Sequence, residues 1–147
     1  MNGSFLDSLA NRGATPALEK MLSYSEARLA MISENVANVH TPGYRAKQLD
    51  AAGFQRALRD ALNEKGTDAH KRLDVSFGDQ VVTDATGRLS VRPTEVPVES
   101  SLLHDGTNQS IERQMAMLAE TGMTYELATM LLNGSFGSLR KAIRGTV

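Results

Sequence analysis

Hydrophobic positions recur with a helical period in the first third of the chain, and the spacing alternates between four and three residues. Such a stripe is typical of a helix that lies along another helix. Thr15 can cap its start and Pro16 suits the first helical position, where its missing N–H is not needed. The pattern predicts a helix from about Thr15 to Asn38, within a segment 15–40. The seam positions are Leu18, Leu22, Ser25, Leu29, Ile32, Val36 and Val39.

A turn is predicted directly after this helix, at "TPGY". Pro42 disfavours helical geometry at Thr41. Pro42 and Gly43 occupy the two central positions of a type II turn, where glycine supplies the positive φ. Segment 41–66 is therefore interpreted as a corner followed by a short amphipathic helix that ends at Gly66. Its apolar positions are Phe54, Ala57, Leu58, Ala61 and Leu62.

The middle of the chain, residues 67–107, has no helical period and several β-branched residues. We interpret it as an extended or β-hairpin-like variable arm, with "DATGR" as the turn. We expect few side chains of this arm to be buried. Because a loop of this length is unusual inside a compact domain, we expect neighbouring molecules to order it.

In the last segment, 108–147, the spacing of apolar residues again alternates between four and three, which predicts a second long helix. Its seam positions are Ile111, Met115, Leu118, Gly122, Tyr125, Thr129, Leu132, Phe136, Leu139 and Ile143. Further apolar residues widen the stripe, so this helix needs more than one neighbour. Gly134, within the stripe, either allows another backbone to come close or, with Asn133, kinks or ends the helix.

The predicted fold class is mainly α, with long N- and C-terminal helices paired as an antiparallel coiled-coil-like bundle and an extended or hairpin-like middle arm. Residues 1–14 are expected to be a flexible N-terminal segment. Aromatic residues make up only 5% of the chain, which favours aliphatic helix seams over a thick core. One helix pair with a polar arm is a poor stand-alone fold, so we expect association with copies or relatives.

Candidate chemistry is sparse. The chain has three histidines, no cysteine and a formal net charge of −1. No metal-ligand spacing, phosphate loop or nucleophile motif is present, so no catalytic residue, cofactor or metal is expected. The balanced charge argues against nucleic acid as a partner. The N-terminus lacks the pattern of a Sec signal, and no apolar run is long enough for membrane insertion.

The segments "ISENVAN" and "ANVHTPGY" resemble the hallmark of the bacterial flagellar basal-body rod and hook protein family. In that family an "ANxNTPGY" corner ends the N-terminal helix. His40 stands where the hallmark usually has asparagine. The short length and the ending "LLNGSFGSLRKAI" resemble the proximal rod proteins within that family. The resemblance implies a non-enzymatic structural subunit that polymerises through its terminal helices into the torque-transmitting drive shaft.

The resemblance also implies roles for particular residues. Ten would form the assembly seam of the inner helical layer: Leu18, Leu22, Leu29, Ile32, Val36, Met115, Leu118, Leu132, Phe136 and Leu139. Six would fix the corner motif: Asn35, Asn38, Thr41, Pro42, Gly43 and Tyr44.

The implied partners are further copies of this chain, other flagellar rod proteins, the membrane-ring adaptor protein and the flagellar type III export apparatus. The implied location is the basal-body rod, which crosses the periplasm. A cytoplasmic helical adaptor or export chaperone is the alternative, and it would be a folded small oligomer in solution.

Overall fold

A computed structural model describes residues 14–96 and 107–145. Three helices and four short strands lie in these ranges. In chain order they are α1 (Thr15–Ala37), β1 (Lys47–Gln48), α2 (Ala51–Lys65), β2 (Val81–Thr83), β3 (Leu89–Val91), β4 (Thr94–Glu95) and α3 (Thr107–Arg144). The mainly α fold class, with long terminal helices in contact and a strand-containing middle region, is confirmed. The flexible segment expected at the N-terminus falls on residues 1–13, outside the described residues.

The first helix begins where the sequence predicts, but its cap differs. The capping residue is Ala14, whose carbonyl accepts from the N–H of Leu18, and no side chain caps the helix. The expectation that Thr15 caps α1 is wrong because its side chain is buried against α3 instead. Pro16 lies in the first turn as predicted.

The two long helices are antiparallel. The Thr15 hydroxyl lies 3.0 Å from the Ser135 hydroxyl near one end of the pair. Arg28, further along α1, lies 3.8 Å from Glu120, which is earlier in α3. Since α3 runs without a break from Thr107 to Arg144, the alternative that Asn133 and Gly134 end the helix is wrong.

The strands form two antiparallel pairs. β1 pairs with β4, with Lys47 opposite Glu95, and β2 pairs with β3 as a hairpin. Asp84 closes the hairpin turn, and its Oδ1 accepts from the Thr86 hydroxyl at 2.6 Å and the Arg88 N–H at 2.9 Å. These two hydrogen bonds lower the pKa of the Asp84 carboxyl. The turn predicted at "DATGR" is confirmed.

The main core lies between α1, α2 and the middle region. The rings of Tyr24 and Phe54 stack with centroids 3.9 Å apart. Leu73 is 2% exposed and Val75 is fully buried against the same cluster. The whole cluster comprises Ala17, Tyr24, Phe54, Leu58, Leu73, Val75 and Val81.

The expectation that the arm buries little is therefore wrong. Leu73 and Val75 alternate with exposed Arg72 and Asp74, which is the pattern of an extended segment with one buried face. Hairpin residue Val81 is 1% exposed in the same core. The arm residues 97–106 lie outside the described part of the chain.

Candidate assembly site at the corner and the long helices

Asn35 organises the corner from inside α1. Its side-chain amide donates to the Lys47 carbonyl at 2.8 Å, and its Oδ1 accepts from the Lys47 N–H at 2.9 Å. The Tyr44 hydroxyl donates to the same Oδ1 at 3.0 Å. Asn35 is 5% exposed, so its three hydrogen bonds are sheltered from water. The corner is thus tied to the helix by a side chain that pairs with β1 as a neighbouring strand would.

The turn itself has the predicted geometry. Gly43 has φ of 76°, and the Tyr44 N–H donates to the Thr41 carbonyl at 3.2 Å. Asn38 lies just after α1, where its side chain donates to the Glu34 carbonyl and accepts from the Thr41 hydroxyl. The six residues assigned to the corner motif are therefore adjacent in space, as well as in sequence.

Only part of the corner is buried. Thr41, Pro42 and Gly43 are exposed, so they set the path of the chain without entering the core. His40 is also exposed, and its side chain forms no hydrogen bond within the described residues. The hydrogen bonds of the corner therefore form without the side chain of residue 40.

Charged groups flank the Asn35 network. Lys47 Nζ lies 2.7 Å from Glu34 Oε1, and this hydrogen bond raises the pKa of the Lys47 ammonium. Partial burial and the neighbouring Glu34 carboxylate raise the pKa of Tyr44. The Tyr44 hydroxyl therefore keeps its proton and remains a donor to Asn35 at physiological pH.

The predicted seam residues of α1 are buried or half-buried in the single chain. Leu18 and Ile32 are buried, together with the polar seam member Ser25. The other seam residues of this helix in the assignment, Leu22, Leu29 and Val36, are half-buried.

The face of α3 toward α1 differs from the predicted seam. Its most buried residues are Thr121 and Ala128, which are small and were not assigned to the seam. Three predicted seam residues, Leu118, Leu132 and Leu139, are half-buried.

Two predicted seam residues of α3, Met115 and Phe136, are exposed at 47% and 39%. They are therefore not enclosed between the two helices of the single chain, and their place in the assembly seam stays a prediction. The helix pair of the single chain meets through small side chains such as Thr121 and Ala128, which are buried.

The largest apolar side chains of α3 point away from α1. Met123 and Met130 are 70% and 65% exposed, and Leu127 and Leu131 are both 52% exposed. We call these four residues the outward stripe. Their spacing of three to four residues places them on one side of the helix. Gly134 and Gly137 continue this side, and a Cβ at either position would meet nothing within 4 Å.

The described residues contain little that could do chemistry. No three His, Cys, Asp or Glu side chains within ranges 14–96 and 107–145 are grouped as metal ligands. Burial raises the pKa of Tyr24 to about 12, and its hydroxyl has no hydrogen-bond partner there. A cavity of about 80 Å³ adjoins Tyr24, which is well below the usual volume of a small-molecule site. No helix in the described part of the chain is long and apolar enough to cross a membrane.

Comparison with known proteins identifies the relatives of this chain. A flagellar basal body rod protein FlgB of Bacillus subtilis is 26% identical over 133 residues, which cover 90% of this chain and 95% of the relative. The FlgB of Borrelia hermsii is 29% identical, with 85% and 91% covered. The chain is a relative of the flagellar basal-body rod proteins.

The FlgB of Escherichia coli gives the same result, at 24% identity over 86% of this chain and 89% of the relative. The resemblance inferred from the corner motif and the C-terminal helix is therefore confirmed, and the alignments extend through the middle region as well. No family model and no solved structure matches the chain.

Proposed function

We propose that this chain is a structural subunit of the proximal rod of the bacterial flagellum, which polymerises through its terminal helices into the drive shaft. The observation that carries the proposal is the outward stripe. Its four large apolar side chains are more than half exposed in the single chain. Burying the exposed part of each one would contribute about 1–2 kcal/mol, so a neighbour that covers the stripe is favoured.

The corner supports the same function. A polymer needs each subunit to present its head, formed by α2 and the strands, at a fixed angle to its long helices. The buried Asn35 side chain and the Gly43 turn fix that angle through local hydrogen bonds and backbone geometry. Neither feature requires a ligand, which suits a building block better than an enzyme.

The proposed location in the cell follows from the relatives, which are named as proteins of the basal-body rod. We assign the chain to the rod that crosses the periplasm, next to other rod proteins and the membrane-ring adaptor. Export through the flagellar type III apparatus would bring it there without a Sec signal. The ten seam residues, including exposed Met115 and Phe136, would then face neighbouring subunits or the partner helix.

Substitution of one stripe residue tests the proposed function. Met130→Asp places a charge on the outward stripe, and Asn63→Asp adds the same charge on the exposed face of α2. Each variant replaces the native copy in the bacterium that encodes the chain. We expect Met130→Asp to abolish swimming and to remove rods from purified basal bodies, whereas Asn63→Asp leaves both intact.

Circular dichroism of the two purified variants is the control for folding, and both should retain the native helix content. Normal rods and motility in Met130→Asp would overturn the proposal. A cytoplasmic chaperone would instead leave rods lacking this chain, which mass spectrometry of purified basal bodies detects.

A further inference from the structure

The outward stripe contains two of the chain's methionines, and they are its most exposed members. Met123 and Met130 are 70% and 65% exposed, whereas Leu127 and Leu131 are both 52% exposed. A methionine thioether is oxidised under conditions that leave the aliphatic side chain of leucine unchanged. The stripe therefore combines two inert side chains with two that an oxidant can reach in the single chain.

The other methionines differ in their access to solvent. Six of the seven methionines lie in the described part of the chain, and Met1 lies outside it. Met31 is only 5% exposed, and half-buried Met21 packs against the main core. On α3, Met115 is 47% exposed and Met117 is half-buried. Among these six, an oxidant dissolved in water therefore meets the two stripe methionines most readily.

The composition of the chain directs oxidation to its methionines. The chain has no cysteine and no tryptophan. A cysteine thiolate is the protein group that usually reacts first with peroxides. Because no thiol competes for the oxidant in this chain, the exposed thioethers are its expected first site of oxidation.

Oxidation makes an apolar side chain of the stripe polar. One oxygen atom passes from hydrogen peroxide to the thioether sulfur, so that the sulfur loses two electrons and the peroxide is reduced to water. The S=O group that forms is a hydrogen-bond acceptor, and burying it against an apolar neighbour costs free energy unless a donor faces it. The hydroxyls of Thr124 and Thr129, next to the two methionines in sequence, already donate to the Glu120 and Tyr125 carbonyls. These hydroxyls are therefore not free to bond to a sulfoxide.

From these observations we infer that Met123 and Met130 are an oxidation site that regulates assembly through the outward stripe. The inference rests on the proposed function and deepens it by naming a regulation of the same surface. In a free copy both sulfurs are accessible, and their sulfoxides oppose the burial that assembly requires. In an assembled copy the covering neighbour protects both sulfurs. The modification is reversible, because a methionine sulfoxide reductase restores the thioether while a dithiol is oxidised to a disulfide and water is released.

Peptide mass spectrometry of the purified chain tests the site. The native chain is treated with dilute hydrogen peroxide while circular dichroism shows native helix content, and the sulfoxide at each methionine is measured over time. We expect Met123 and Met130 to oxidise roughly tenfold faster than Met31, in line with exposed fractions of 70%, 65% and 5%. Equal rates at the three positions would overturn the inference.

Replacement of both sulfurs in the bacterium tests the effect on assembly. Met123→Leu with Met130→Leu keeps the stripe apolar and nearly conserves its volume, and Met21→Leu removes a sulfur outside the stripe as the matched control. Growing cells of each strain receive a pulse of hydrogen peroxide, and rods formed afterwards are counted relative to the same strain without the pulse. We expect this ratio to fall several-fold in the native and Met21→Leu strains and to stay near one in the double variant.

A second measurement needs no variant. Mass spectrometry of purified basal bodies from the pulsed native strain should find several-fold less sulfoxide at positions 123 and 130 in rods than in the unassembled chain. Equal sulfoxide in the two pools would overturn the inference, as would an equal loss of rods in the native strain and the double variant. Either result would leave the rod role in place, whereas normal motility in Met130→Asp would remove the rod role itself.

Discussion

At the scale of single residues, Asn35 and Lys47 show how one side chain can replace a strand. Asn35 belongs to α1, yet its amide group both donates to and accepts from the backbone of Lys47. Lys47 also lies opposite Glu95 in the β1–β4 pair. The sequence predicts that asparagine matters at this corner, through the resemblance of "SENVAN" to the rod family. It cannot predict the partner, because the partner is backbone 12 residues away.

We predict that Asn35→Ala loosens the corner and lowers stability. The substitution leaves both polar groups of Lys47 without their buried partner, which costs about 1–3 kcal/mol. Urea unfolding of the purified chain gives the loss in free energy, and hydrogen exchange at the Lys47 amide should accelerate. Tyr44→Phe removes only the third hydrogen bond and should have a smaller effect on both measurements.

Gly43 makes the second prediction at this scale. Its φ of 76° strains any residue with a branched side chain, although no neighbour would contact an added Cβ. Gly43→Val should therefore block rod assembly and motility, whereas Gly43→Asn should retain much of both, because asparagine tolerates positive φ. Equal motility in the two variants would mean that the turn geometry is not required.

At the scale of elements, the two faces of α3 differ in a way that periodicity alone could not resolve. The apolar stripe was wide enough in the sequence to indicate more than one neighbour. Which part of it meets α1 depends on close approach of the helices, which small residues such as Thr121 and Ala128 allow. The large apolar residues Met115 and Phe136 are exposed in the single chain, so periodicity did not indicate which face of α3 packs against α1.

The difference between the faces predicts different effects for two aspartate substitutions. Leu132 lies one turn from Ser135 on the half-buried side of α3, so Leu132→Asp should lower the free energy of unfolding by about 1–3 kcal/mol. Met130→Asp should change it by less than about 0.5 kcal/mol, because residue 130 is mostly exposed. Both should stop rod formation. Equal destabilisation in urea would contradict the division of α3 into two faces.

At the scale of the whole molecule, the sequence predicted the order of elements well but misplaced the core. The helix bounds, the corner, the hairpin turn and the mainly α class could be predicted from local patterns, which depend on near neighbours along the chain. The core joins Tyr24, Phe54 and Leu73, which are far apart in sequence. In the sequence, the alternation of apolar and polar residues around Leu73 and Val75 was the signal for this part of the core. It covers too few residues to be recognised within a polar arm.

Packing of the middle region predicts that it stabilises the isolated chain. Leu73→Ala should lower the free energy of unfolding by about 2–5 kcal/mol, because residue 73 is 2% exposed in the core. Val82→Ala removes an apolar group from the exposed side of the same hairpin and should cost far less. Denaturant unfolding of both variants makes the comparison, and similar small losses would mean that the middle region is not part of the core.

The pairing of Asn35 with Lys47 also has a mechanical consequence. Because one amide group holds both the N–H and the C=O of the same residue, pulling β1 away from α1 stretches both hydrogen bonds together. Bonds strained in parallel share the load, whereas bonds that peel apart in succession fail one at a time. A twisting force applied to the strands would therefore be transmitted to the long helices with little bending at the corner.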